Sequence, residues 1–229
     1  MMSTVNPRHV ASRAINEIMV TPKMTVVSAK SDRYVIKGLF ARAWINVNIV
    51  DLTPKARRTR SALLAAARAE LGHRGVAGLN VMSVCEKAGV GRTSFYNYFD
   101  DTDALVSTVA HETAIDIRER FASLHADVPR GFARLEACLR MILETAVDEP
   151  EAILLVASLT SSVPEIMELL QIEISAELTA FAPVPEEDQP VVVNYLAQTV
   201  LALAHQMALG NLAENSIDKH VEFMMRACS

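Results

Sequence analysis

The sequence predicts an all-α protein with a small three-helix head and a larger helical body. Three observations carry this. Hydrophobic residues make up 51% of the 229 residues while aromatics make up only 5%; the apolar content is therefore mostly aliphatic, and with abundant Ala, Leu, Met and Glu it favours helix. Past residue 53, prolines recur where an apolar pattern restarts, the one place in a helix that tolerates them. No stretch sustains the two-residue alternation of a half-buried strand.

Order starts at Thr53-Pro54, a capping hydroxyl followed by proline at the first helical position. Residues 54–74 then read as a helix with Leu63, Ala66, Ala67 and Leu71 on one face, ended by Gly75. Asn80 caps a short helix over 81–88, with Val81, Val84 and Cys85 apolar. Ala88-Gly89-Val90-Gly91 is a tight turn, and another short helix covers 92–98. Asp100 and Asp101 open a long helix over 103–125, placing negative charge at its N-terminus. Pro129 starts a helix to Val147, Pro150 one to Ser161 and Pro164 one to Phe181. Pro183 to Pro190 is a loop holding Glu186, Glu187 and Asp188; a very apolar helix spans 190–209, and the last spans 216–227 after Gly210.

Residues 1–52 show no sustained period. They read as an extension, either disordered or upstream of the true start, with Met19 and Met24 as alternative starts. The other reading is a basic arm, Arg33, Lys37 and Arg42, that touches DNA. Residues 53–102 then form the head and 103–229 the body.

The formal net charge of −5 hides a segregation. Residues 1–52 hold seven Lys/Arg against three Asp/Glu, residues 53–110 eight against five, and residues 111–229 seven against nineteen. A basic front on an acidic body lets the front approach phosphates that repel the rest. The plain alternative is chance asymmetry on solvated faces. No apolar stretch reaches the length of a membrane span, and three widely spaced cysteines, Cys85, Cys138 and Cys228, suit a reducing cytoplasm.

Residues 80–99 are the most specific part of the chain. A helix-turn-helix needs two short helices at a sharp angle with small residues between them, the first bracing the backbone and the second entering the major groove. Ala88 allows close packing, Gly89 a left-handed backbone, and Val90 plugs the space between the helices. Phe95 and Phe99, four residues apart, bury together.

The alanine-rich first helix with Ala66-Ala67 and its closing Gly75, then Ala88-Gly89-Val90, then Ser94-Phe95-Tyr96-Asn97-Tyr98-Phe99, then Ala104-Leu105, resemble the tetracycline-repressor (TetR) family over about residues 55–106. The resemblance implies an all-α chain: an N-terminal three-helix helix-turn-helix head followed by a helical ligand-binding and dimerisation domain. It implies a transcriptional regulator, most simply a repressor released by a small-molecule effector, acting on a palindromic double-stranded operator. The residues expected at DNA are Arg57, Arg58, Asn80, Arg92, Thr93, Ser94, Tyr96, Asn97, Tyr98 and Thr102. Three positions depart from the family pattern. Gly91 replaces a capping serine, Glu70 stands near a usually apolar position, and Thr102, amid Asp100, Asp101 and Asp103, replaces a lysine that meets phosphate. These keep open an alternative, a dimeric helical small-molecule-binding protein with weakened DNA binding.

The resemblance also implies a homodimer through the last two helices. The sequence agrees, because the 190–209 helix is apolar on nearly every side and must be buried on two faces. An effector site is expected between the middle helices, with His111, Met141, Glu144, Asn194 and Gln198 as its candidate residues and Leu143, Leu155 and Met167 as further apolar lining. No metal-binding helix pair, glycine-rich phosphate loop or nucleophile elbow occurs, so no enzyme, metal or cofactor is expected.

Overall fold

The computed structural model describes residues 53–181 and 184–228. The expectations for residues 1–52 lie outside the described residues. The described residues form nine α-helices and no strand: α1 Pro54–Arg74, α2 Val81–Ala88, α3 Arg92–Phe95, α4 Thr102–Asp127, α5 Phe132–Asp148, α6 Pro150–Thr160, α7 Pro164–Phe181, α8 Gln189–Ala208 and α9 Ile217–Arg226.

Local chemistry accounts for most of the boundaries. The Thr53 hydroxyl accepts from the Ala56 N–H at 3.2 Å and Pro54 opens α1. The Asn80 side chain accepts from Ser83 N–H at 2.9 Å to start α2, and Gly89 ends it at φ 67°, ψ 31°, a left-handed conformation that a Cβ penalises. Asp101 accepts from Ala104 N–H at 2.8 Å and starts α4.

Two boundaries differ from the sequence reading. The helix after the turn is regular only over Arg92–Phe95. From there Asn97 N–H bonds Ser94 C=O and Tyr98 N–H bonds Phe95 C=O, the tighter i to i−3 pattern. Gly91 supplies no side-chain cap to extend the regular part. Pro129 does not start a helix either: α5 begins at Phe132, behind Gly131 at φ 128°. The Gly131 N–H bonds the Glu177 carboxylate at 2.9 Å, and Arg134 reaches back to the Val128 carbonyl at 2.8 Å. Tertiary bonds thus hold the turn that the proline pattern had suggested was helix.

In the head, α1 buries Leu63, Leu64, Ala66, Ala67 and Leu71. These pack against α2, which itself buries Val84 and Cys85, while the far side of α1 packs along α6. Glu70, the carboxylate at a usually apolar position, is buried between the head helices, 3.4 Å from Lys87 of α2 and 3.4 Å from Arg74 of α1. Burial pushes its carboxyl up, but the hydrogen bonds of Lys87 and Ser83 and the charge of Arg74 outweigh it and hold the group below its ordinary value.

In the body, α8 is central and packs against α5, α6 and α7. Its Val193, Leu196, Ala197, Val200, Ala204 and Met207 join Leu135, Leu139 and Leu143 of α5, Ile174 and Leu178 of α7 and Val221 and Met224 of α9 in one core. By length and composition α8 could cross a membrane, a property the sequence reading had not given it. Its core residues explain that apolarity on the face described.

Candidate nucleic-acid interface and ligand cavity

The stretch expected to read DNA is built on two buried rings. Phe95 and Phe99 are 0% and 4% exposed, with centroids 5.7 Å apart, and Phe95 meets Tyr96 edge-on at 5.3 Å. Anchored this way, the stretch turns Arg92, Thr93, Tyr96 and Asn97 to solvent, with Ser94 and Tyr98 half-buried. The Arg92 guanidinium donates to the Tyr96 hydroxyl at 3.4 Å and lies 5.8 Å from its ring centroid. Arginine so held presents its planar fork for bidentate contact.

Arg57 and Arg58 are exposed on α1. Arg60 is not available in the same way: it stacks on Phe99 at 5.9 Å and pairs with Glu112 at 3.5 Å. Asn80 is exposed, with its side-chain oxygen committed to the cap of α2. Thr102 is half-buried as the first residue of α4, and its neighbour Asp101 is that helix's cap. The acidic start therefore has a local cause, since a carboxylate at a helix N-terminus meets unpaired N–H groups and the positive end of the dipole.

Behind this region lies a cavity of about 230 Å³ walled by residues of α1, α4, α5, α6, α7 and α8. Phe121, Ile153, Ile166, Met167, Leu170 and Leu201 give it an apolar interior. Of the five expected effector residues only Met141 lines it; Leu155 and Met167 do so as well. His111 is half-buried on α4 away from the wall, and Glu144, Asn194 and Gln198 are exposed on the outer surface. Leu143 is fully buried in the core. Glu144, Asn194 and Gln198 thus lie on the solvent side of their helices, away from this cavity.

Sequence reasoning missed the charged wall. Arg68 of α1, Asp116 and Arg120 of α4 and Glu149 at the α5–α6 junction all line the cavity. Arg68 bonds Asp116 at 3.2 Å and Glu112 at 3.2 Å, and Arg120 bonds Glu149 at 2.6 Å. The signal was present as a row of Glu112, Asp116 and Arg120 at i, i+4 spacing on α4. No group of three His, Cys, Asp or Glu among the described residues could hold a metal ion.

The described residues thus set an exposed, aromatic-anchored helix-turn-helix before an all-helical body. Residues 63–109 match the family model of the bacterial regulatory proteins, tetR family. That similarity covers the later part of α1, the helix-turn-helix and the start of α4. Solved structures share its fold. A TetR-like transcriptional regulator from Rhodococcus sp. RHA1 is 17% identical with a TM-score of 0.61, over 77% of this chain and 96% of that one. FadR from Bacillus subtilis, in complex with stearoyl-CoA, is 11% identical with a TM-score of 0.60, over 74% and 100%. NalD, the secondary repressor of the MexAB-OprM multidrug efflux pump in Pseudomonas aeruginosa, is 14% identical with a TM-score of 0.57, over 76% and 98%.

Proposed function

We propose that the chain is a dimeric cytoplasmic repressor that leaves a palindromic operator when a small molecule fills the cavity. In this reading residues 53–102 bind DNA and residues 103–229 bind the effector and the partner subunit. One observation carries it: the cavity wall includes both Arg68 of the head helix α1 and the run Thr113 to Phe121 of α4. A ligand there touches the helix that joins head to body. At 26 residues, α4 is a lever of about 39 Å, and two recognition helices must lie about 34–36 Å apart to enter successive major grooves. A small pivot changes that separation. Differential affinity of about 1–3 kcal/mol for the non-binding spacing gives roughly 5- to 150-fold release.

Dimerisation through α8 and α9 is supported by large apolar side chains left in water: Val191 at 69%, Tyr195 at 49%, Leu209 at 51% and Phe223 at 68% exposure. A second reading, a binding protein with weakened DNA affinity, draws on the exposed Asp100, Asp101 and Asp103 beside the reading stretch. A band shift with the DNA upstream of the chain's own coding sequence, at fixed salt, decides between them. The repressor reading expects retention by the wild-type chain, with Arg92→Ala and Tyr96→Ala each weakening it roughly 5- to 150-fold without changing oligomeric state. Equal retention by both variants removes the recognition-stretch assignment, and no retention by any chain favours the second reading.

A further inference from the structure

The polar chemistry of the cavity wall is lopsided. The hydroxyls of Thr113, Thr145 and Thr160 line it, and each donates its proton to a carbonyl of its own helix, Val109 at 2.8 Å, Met141 at 2.7 Å and Ala157 at 2.9 Å. What they offer a ligand is lone pairs. Asp116 and Glu149 can only accept. Charged donors on the wall come from Arg68 and Arg120, each with five guanidinium N–H groups. Two from Arg68 go to Asp116 and Glu112, and one from Arg120 goes to Glu149.

Depth separates the two signs. The side chains of Asp116 and Glu149 are 56% and 51% exposed, those of Arg68 and Arg120 32% and 41%. A ligand group that takes the arginines displaces carboxylates already half in water, where they rehydrate with little loss. A cationic group would instead have to strip from the acids arginines that sit deeper, one of them held by two carboxylates. An acid for acid exchange is the easier one, and guanidinium matches a carboxylate bidentately.

We propose that the cavity takes a small apolar organic acid, its hydrocarbon part against Phe121, Ile153, Ile166 and Leu170 and its carboxylate on Arg68 and Arg120 in place of Asp116 and Glu149. This rests on the cavity being the effector site. The class follows from the wall: an apolar interior with guanidinium donors at its edge.

The test compares octanoate with 1-octanol, which share a chain and differ in the head group, by calorimetric titration of the full chain. Octanoate binds at least about tenfold more tightly than octanol, the scale of a hydrogen bond to a charged group. Arg120→Gln and Arg68→Gln each erase that preference and leave octanol affinity unchanged. Asp116→Asn, which removes the competing carboxylate, strengthens octanoate binding and again leaves octanol unchanged. A merely structural role for these residues would move both ligands together. Equal affinity for the two ligands, or a preference that survives both arginine variants, overturns the proposal. So does the absence of binding by either ligand. The underlying cavity reading is tested separately with Ala152→Phe, which fills the apolar interior: displacement of the neutral dye Nile red from the wild type but not from this variant upholds the site whichever head group it prefers, and dye binding equal in both removes the site itself.

Discussion

Replacing Arg134 by methionine should be among the most damaging single substitutions in the body. Arg134 sits in the first turn of α5 with its side chain 10% exposed, facing Glu177 of α7, whose side chain is 2% exposed. Its guanidinium donates to the Val128 carbonyl at 2.8 Å, the His125 carbonyl at 3.4 Å and the Glu177 carboxylate at 3.5 Å, while the other Glu177 oxygen accepts from Gly131 N–H at 2.9 Å. The arginine thus satisfies carbonyls at the end of α4, where a helix has no partners of its own, and ties three helices at one corner. Methionine fills much of the volume but leaves a buried carboxylate without its cation, a change that costs about 3–5 kcal/mol. In a domain of this size that lowers Tm by about 6–20 °C. Glu177→Gln keeps an acceptor for Gly131 and should cost less, about 1–3 kcal/mol. The pair is coupled, so the double variant should cost less than the sum of the singles. Urea unfolding at one protomer concentration measures all three. A loss below about 1 kcal/mol for Arg134→Met, or strict additivity in the double variant, would refute the clasp.

Asp101→Ala should have opposite effects on stability and on DNA binding. It loses the cap of α4, at about 1 kcal/mol, and removes a negative charge beside the reading stretch, so retention in the band shift tightens while the melting temperature falls; a parallel fall in both would contradict it. Burial holds both His111 and His125 below the ordinary histidine value. A group depressed in the folded state contributes stability that is present above its unfolded value and lost as pH falls through the folded one. Stability should therefore decline on acidification below about pH 6.5, and His125→Gln should flatten part of that decline in melts run from pH 7.5 to 5. Burial pushes the Cys138 thiol up to about 12, and Glu173 and Glu177 push the same way; with the side chain in the core, iodoacetamide at pH 8 should leave it unmodified in the native chain and label it in urea.

The parts of this protein that could be read from its sequence are those fixed by local chemistry. Thr53-Pro54, Asn80 and Asp101 each place a helix start with atoms within three residues of it, and Gly89 closes α2 because of its own backbone freedom. The Phe95 and Phe99 pair was legible because an i, i+4 spacing puts both rings on one face. What failed depended on partners distant in sequence. Pro129 reads as a helix start until Glu177 takes the N–H of Gly131, 46 residues before it. Asn194 and Gln198 break the apolar pattern of α8, and a polar residue in an apolar helix marks either a pocket or the solvent side; only the packing of α8 on α5, α6 and α7 chooses, and it puts both outside.

The cavity itself shows why charge was the harder signal. Arg68, Asp116, Arg120 and Glu149 are ordinary surface residues in sequence, and exposed ion pairs contribute little on their own. They acquire meaning because α4 sets Glu112, Asp116 and Arg120 in one row while α1 delivers Arg68 from 44 and 48 residues away onto that row. The same contact makes Arg68 both a tie between the head and α4 and a wall of the cavity. Under the proposed function, an occupant that competes for that side chain acts where α1 meets α4, without any relay through the core. The proposed coupling is then local, a single shared arginine biasing where α1 sits on α4, and it should respond to the ligand's head group more than to the length of its apolar chain.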